Sequence, residues 1–167
     1  MRAEVLNRTQ AIRLDPAIVE KIAQKVPIFS GMSMPCLLAT LSVAEHFPVK
    51  SGFAVFNEGD AGHFFFVLIA GDVVVEKQVD AKAVKLARLG PGQCFGEMAL
   101  VGKEVRSATV RALNDVVAMK FNQELIESNP ESAQIIYRNI ARILASRLEG
   151  SNLMLADRVA LRLGKPI

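Results

Sequence analysis

Gly96-Glu97-Met98-Ala99-Leu100-Val101-Gly102-Lys103-Glu104-Val105-Arg106-Ser107-Ala108-Thr109 is the stretch on which the reading of this chain turns. Within it Glu97 and Arg106 stand nine positions apart around a glycine-led, helix-prone turn. Such a pattern suits a small anion that also carries a hydroxyl. The fixed fork of a guanidinium satisfies two anionic oxygens at once, and a carboxylate accepts from a neighbouring hydroxyl. Backbone N–H groups around Gly96, at the start of a single helical turn, add partial positive charge where an anion sits best.

The rest of the chain bounds that reading. At 167 residues it is expected to form one domain with a continuous core and no need of staples. A hydrophobic fraction of 51% and a mean hydropathy of +0.28 favour a packed globule over a disordered tail. The longest apolar run, residues 64–70, is far too short to span a bilayer and is closed by Gly71-Asp72. The opening Met1-Arg2-Ala3-Glu4 has no apolar block behind it, so nothing marks the chain for export and a cytoplasmic location is expected. Cys36 and Cys94 lie far apart and read as small buried residues rather than a disulfide. His46 and His63 have no second ligand nearby, which argues against a metal. The net charge of +3 tilts the protein mildly toward anionic partners. The late basic residues Arg138, Arg142, Arg147, Arg158, Arg162 and Lys165 alternate with Glu149 and Asp157 at helical spacing, as on a solvated helix face.

The organisation is helix, then strand, then helix. Residues 1–45 read as an N-terminal helical segment: Asp15-Pro16 is a cap with a proline at the first helical position, followed by Ile18, Val19, Ile22 and Val26, and Ser33-Met34-Pro35 starts a second helix. Residues 46–121 break into short Val- and Phe-rich runs separated by glycine turns, the signature of a small antiparallel barrel or jelly roll. Residues 122–167 return to helix. Asn122 and Asn129-Pro130 are start signals there, and Ile136, Ile140, Ile143, Leu144 and Leu148 form a seam that Gly150 interrupts. Leu153, Leu155, Val159, Leu161 and Leu163 continue it until Gly164-Lys165-Pro166. So long a seam either packs on the barrel as a lid or pairs with the same seam of a second chain, making a homodimer. The fold class expected is α+β, a small β-roll flanked by N-terminal helices and a long C-terminal helix.

Two segments then resemble the cyclic-nucleotide-binding domain found in catabolite-activator-type regulators, in cAMP-dependent protein kinase regulatory subunits and in cyclic-nucleotide-gated channels. One is residues 52–67 followed by Gly71-Asp72-Val73, where the resemblance makes Gly59 and Gly71 strand-turning residues and sets His63 in place of an acidic residue. The other is the phosphate-binding cassette, residues 95–109, with Met98 in place of a leucine. The resemblance covers roughly residues 28–155 and implies that Glu97 takes the ribose 2′-hydroxyl and Arg106 the cyclic phosphate. It adds the backbone near Gly96, Met98, Ala99, Ser107 and Ala108 to the anion cradle and places the Ser107 hydroxyl within range of phosphate or base. Aligning residues 145–152 with the family's lid helix puts Ser151 and Asn152 at the base, although a helix restart capped by either residue explains them as well. Leu86 and Leu89 face the base or belong to the barrel core.

The resemblance implies a non-enzymatic sensor whose ligand is cAMP, or less readily cGMP, with no cofactor. The chain length leaves no room for a DNA-reading domain, a kinase or a membrane pore, so the output is expected to be a further, unknown protein or a change of assembly. The alternatives weigh less. A cupin-type enzyme needs clustered histidines, a haem or cluster sensor needs ligands that two cysteines cannot supply, and a degenerate dimeric interaction module has no use for Glu97 and Arg106.

Overall fold

A computed structural model describes residues 15–102 and 105–162. The helical reading of residues 1–14, the stop at Gly164-Lys165-Pro166 and the Lys103-Glu104 pair lie outside the described residues.

The first helix, α1 (Pro16–Lys25), starts where the Asp15 carboxylate accepts from the Ala17 N–H at 2.8 Å. It buries Val19 and Ile22 and leaves Ile18 exposed, because residue 18 lies about 100° around the helix from residue 19. A single 3₁₀ turn, Pro27–Phe29, drops Ile28 and Phe29 into the core. Next comes α2 (Met34–Ser42), capped by the Ser33 hydroxyl accepting from the Cys36 N–H at 3.3 Å.

Among the described residues eight strands follow: β1 (Glu45–Val49), β2 (Ala54–Phe56), β3 (Phe64–Ala70), β4 (Val73–Val79), β5 (Lys82–Leu89), β6 (Cys94–Phe95), β7 (Thr109–Ala112) and β8 (Val116–Asn122). They form two antiparallel four-stranded sheets, in the orders β1-β8-β3-β6 and β2-β7-β4-β5. The single turn α3 (Met98–Val101) lies between β6 and β7, while α4 (Gln123–Glu127) and α5 (Pro130–Arg162) follow β8. The fold is α+β, a small β-roll between N-terminal helices and a long C-terminal helix.

The central strands explain why residues 65–68 are all buried although strand side chains alternate. Phe65 and Val67 point into a layer shared with Phe29, Phe121, Ile136 and Ile140 from the helices. Phe66 and Leu68 point the other way, into the roll with Phe95, Val73 and Val110. One sheet is therefore covered on both faces, and stacked rings tie it on each side: Phe65 on Phe121 at 4.8 Å and Phe66 on Phe95 at 5.1 Å. Each such pair adds about 0.5–1.5 kcal/mol beyond its buried area.

The N-terminal half of α5 belongs to that helical layer. Ile136 and Ile140 are buried, and the Asn139 amide donates to the Ile28 and Ser30 carbonyls at 3.0 and 2.8 Å, which sets the helix on the 3₁₀ turn. Past Arg147 the helix runs clear of the body, with Leu148, Leu153, Met154, Leu155 and Val159 exposed. Gly150 does not interrupt it, contrary to the sequence reading. A glycine inside a helix costs only about 1 kcal/mol relative to alanine, and 33 continuous residues absorb that. Among the described residues no helix is long and apolar enough to cross a membrane.

Candidate functional site

The site is built where β6 ends. Gly96 takes φ +80°, and a Cβ there would lie 2.8 Å from Arg106 Nη1. Only glycine both adopts that conformation without strain and leaves the guanidinium its place. The chain then turns through Glu97 and α3. It returns at Arg106, whose own N–H donates to the Asp60 carbonyl at 2.8 Å while its carbonyl accepts from the Gly59 N–H at 2.9 Å. The β2–β3 loop thus holds the backbone of the returning strand. Gly62 in the same loop lets α3 approach, since a Cβ there would lie 2.5 Å from the Ala99 Cβ and 3.1 Å from the Arg106 guanidinium.

Arg106 is 4% exposed. Its Nη1 donates to the Gly96 carbonyl at 2.8 Å and its guanidinium lies 4.2 Å from the Phe56 ring centre. Its Nε is buried without a hydrogen-bond partner. Burial brings its pKa down to about 10, against the pull of Asp60 and Glu97. A buried cationic donor lacking an acceptor is costly, and an anionic oxygen is the group that would relieve it.

Glu97 is 1% exposed and forms no ion pair with Arg106. Its partner is Arg147 of α5, whose Nη1 donates to Glu97 Oε1 while Nη2 donates to the Cys94 carbonyl at 2.6 Å. Burial pushes the Glu97 carboxyl above the ordinary carboxylate value, and Arg147 offsets part of that rise. The Cys94 thiol beside it is pushed up to about 12, chiefly by burial, and is an inert core group.

Glu97, Arg106 and Arg147 line one cavity of about 70 Å³ together with Phe56, Leu89, Met98, Ser107 and Val110. Gly96, Ala99 and Ala108 also border it. The Ser107 hydroxyl faces Met98 Sδ at 3.5 Å, and the Ser107 carbonyl is held by Lys77 Nζ at 2.8 Å, a lysine that also pairs with Glu58 at 2.8 Å. Glu58 is itself held below the ordinary carboxylate value, first by the Lys77 hydrogen bond and then by the Gln78 N–H.

Two placements differ from the sequence reading. Ser151 and Asn152 do not reach this cavity and cap no helix: both are exposed on an unbroken α5, and the Ser151 hydroxyl donates back to the Arg147 carbonyl at 2.9 Å. The reason is that α5 runs unbroken through both residues, so neither starts a new helix. Leu89 lines the cavity, but Leu86 belongs neither to it nor to the core: it is 57% exposed, at the bulge where β5 slips against β4.

Arg147, Phe56, Gly62 and Lys77 escaped the sequence reading. Arg147 carried one signal, its place one helical turn before Ser151 on the helix aligned as the lid. The others carry none, because their contacts come from strands distant in sequence.

Comparisons agree with this architecture. The chain is 25% identical over 142 residues to a CRP-like cAMP-activated global transcriptional regulator of Mycobacterium tuberculosis, covering 84% of this chain and 63% of that protein. It therefore spans less than two thirds of that relative. The crystal structure of Thermus thermophilus catabolite activator protein superposes with a TM-score of 0.70 at 28% identity, over 78% of this chain and 62% of that one. A cyclic nucleotide-binding domain from Methylobacillus flagellatus superposes with a TM-score of 0.75 over 85% of this chain and 84% of its own, and at 19% identity it speaks to the fold alone. Residues 47–128 match the family described as the cyclic nucleotide-binding domain. With Gly96, Glu97 and Arg106 gathered at one cavity inside a β-roll of that same shape, residues 47–128 form a domain of the cyclic nucleotide-binding family.

Proposed function

We propose that this chain is a binding module rather than an enzyme, a sensor that takes cAMP in preference to cGMP and reports occupancy through α5. The observation that carries the reading is Arg106, buried, cationic and with an unpartnered Nε at the cavity. A cyclic phosphate supplies the missing acceptor, and Glu97, one residue past Gly96, accepts from the ribose 2′-hydroxyl. The lean toward cAMP rests on two relatives, one named as a cAMP-activated regulator and the other as a cyclic AMP receptor protein.

The coupling follows from Arg147. Its guanidinium holds the carboxylate that the ribose needs, so ligand and α5 compete for one acceptor. The exposed apolar residues beyond Arg147 then offer a surface whose position depends on the ligand, either as a lid carrying Ser151 and Asn152 toward the base or as a seam for a second copy.

Titration calorimetry with cAMP, cGMP and a cyclic dinucleotide tests this. Micromolar or tighter binding of a cyclic mononucleotide is expected, together with a loss of about 2–5 kcal/mol in Arg106→Ala. Heat-silent titrations throughout would remove the sensor reading. One observation favours a second reading, a degenerate roll serving as a dimeric interaction module: the cavity of about 70 Å³ is well under the ~300–1,000 Å³ of ordinary ligand sites. Dimerisation with silent titrations is its signature.

A further inference from the structure

Arg147 is the wall between two cavities. Behind it, between the 3₁₀ turn, the segment leading into β6 and α5, lies a second cleft of about 430 Å³. This is about the size of an ordinary small-molecule site. Arg142 and Arg147 supply its charge, Ser30 and Gln93 add polar groups, and Ile28 and Ile143 contribute apolar wall. Among the described residues no carboxylate lines it. Arg142 forms no ion pair among the described residues. The Asn139 amide is spent on the Ile28 and Ser30 carbonyls and fixes the cleft's floor.

We propose that this cleft is a second ligand site, for a small organic anion whose phosphate or carboxylate head sits on Arg142 and Arg147 and whose apolar body lies against Ile28 and Ile143. Two arginines lining one cleft select the charge, and the apolar wall selects an organic anion over an inorganic one. Its consequence depends on the shared residue. An anion in the cleft competes with Glu97 for Arg147, which frees the carboxylate for a ribose hydroxyl in the front cavity. The two ligands therefore favour one another, and by linkage each raises the affinity of the other equally. This coupling rests on the cyclic-nucleotide reading, whereas the site itself does not.

The test uses phenyl phosphate, with inorganic phosphate as the head lacking an apolar body. Calorimetry on the nucleotide-free chain should show saturable binding of phenyl phosphate, weaker by about tenfold in Arg142→Ala and unchanged in Arg106→Ala. No saturable binding, or equal binding by Arg142→Ala, overturns the site, as does equal affinity for inorganic phosphate. Loss in Arg106→Ala would place the probe in the front cavity and also overturns it. Because no nucleotide is present, these results stand even if cyclic nucleotides fail to bind. With phenyl phosphate saturating, cAMP affinity should rise by about threefold or more in the wild type and stay constant in Arg142→Ala. A wild-type affinity indifferent to the probe overturns the shared-guanidinium link.

Discussion

Replacing Arg147 by methionine should destabilise the fold in a strongly pH-dependent way. The substitution keeps much of the aliphatic stem and removes the guanidinium, leaving a Glu97 side chain that is only 2% exposed without its ion-pair partner. Glu97 then has two choices. It stays ionised and unpaired, which costs several kcal/mol, or it takes up a proton. At pH 7 protonation costs about 1.36 kcal/mol for each of the roughly 2.7 units separating the solution from an ordinary glutamate near 4.3, about 3.7 kcal/mol in all. The cheaper choice sets a ceiling, so a loss of about 2–4 kcal/mol is expected at pH 7. Each unit of acidification lowers that ceiling by about 1.4 kcal/mol, and near pH 4.5 only about 1 kcal/mol of lost hydrogen bonding should remain. Wild-type Glu97 already leans this way. Burial holds its carboxyl above the ordinary value, so its contribution to stability is fully present below that value and is lost as the pH rises through the folded one. Urea denaturation at pH 7, 5.5 and 4.5 measures the difference, and adding Glu97→Gln to the methionine variant should restore most of the loss at pH 7. An equal loss at all three pH values, or no recovery in the double variant, would show that Arg147 does not neutralise a buried charge.

The other expectations are shorter. Gly62→Ala should weaken cyclic-nucleotide binding by about tenfold or more while the chain stays folded, since the new Cβ meets Ala99 and the Arg106 guanidinium; calorimetry alongside a melting curve separates the two effects. Lys77→Met should leave the melting curve nearly unchanged, its ion pair with Glu58 being solvent-screened. It should still weaken nucleotide binding by about three- to tenfold because the Ser107 carbonyl loses its charged donor. Ligand should slow amide exchange across residues 140–155 relative to the free protein, and exchange unchanged there would uncouple binding from α5.

Much of the fold is local chemistry and could be read from the chain. Asp15, Ser33 and Asn122 start helices because each side chain accepts from a backbone N–H just downstream. The Val- and Phe-rich runs end at glycines because strands of this kind need tight turns there. The cassette was legible for the same reason, its glycine, acid and arginine being confined to a few residues of one chain segment. The Asp80-Ala81 turn was less so: it takes φ +47° and +63°, values that Asn-Gly would have announced and Ala81 conceals. The seam of α5 was visible as apolar spacing, yet spacing alone did not separate the half that packs on Phe29 and Phe121 from the half that is exposed.

What the sequence by itself determined is the alternation of helix and strand, the β-roll class and the presence of Glu97 and Arg106 in one short cassette, because each depends on interactions within a few residues. Only the tertiary structure decided that Glu97 is held by Arg147, 50 residues away, rather than by Arg106. It also decided that Ser151 and Asn152 pass the cavity by, and that Arg142 and Arg147 share a cleft. Those contacts depend on where α5 lies, and α5 is seated by Ile136, Ile140 and Asn139 against the 3₁₀ turn at Ile28. An arginine on an amphipathic helix has the same sequence signature whether it faces water or a buried carboxylate, and only packing between distant segments tells the two apart.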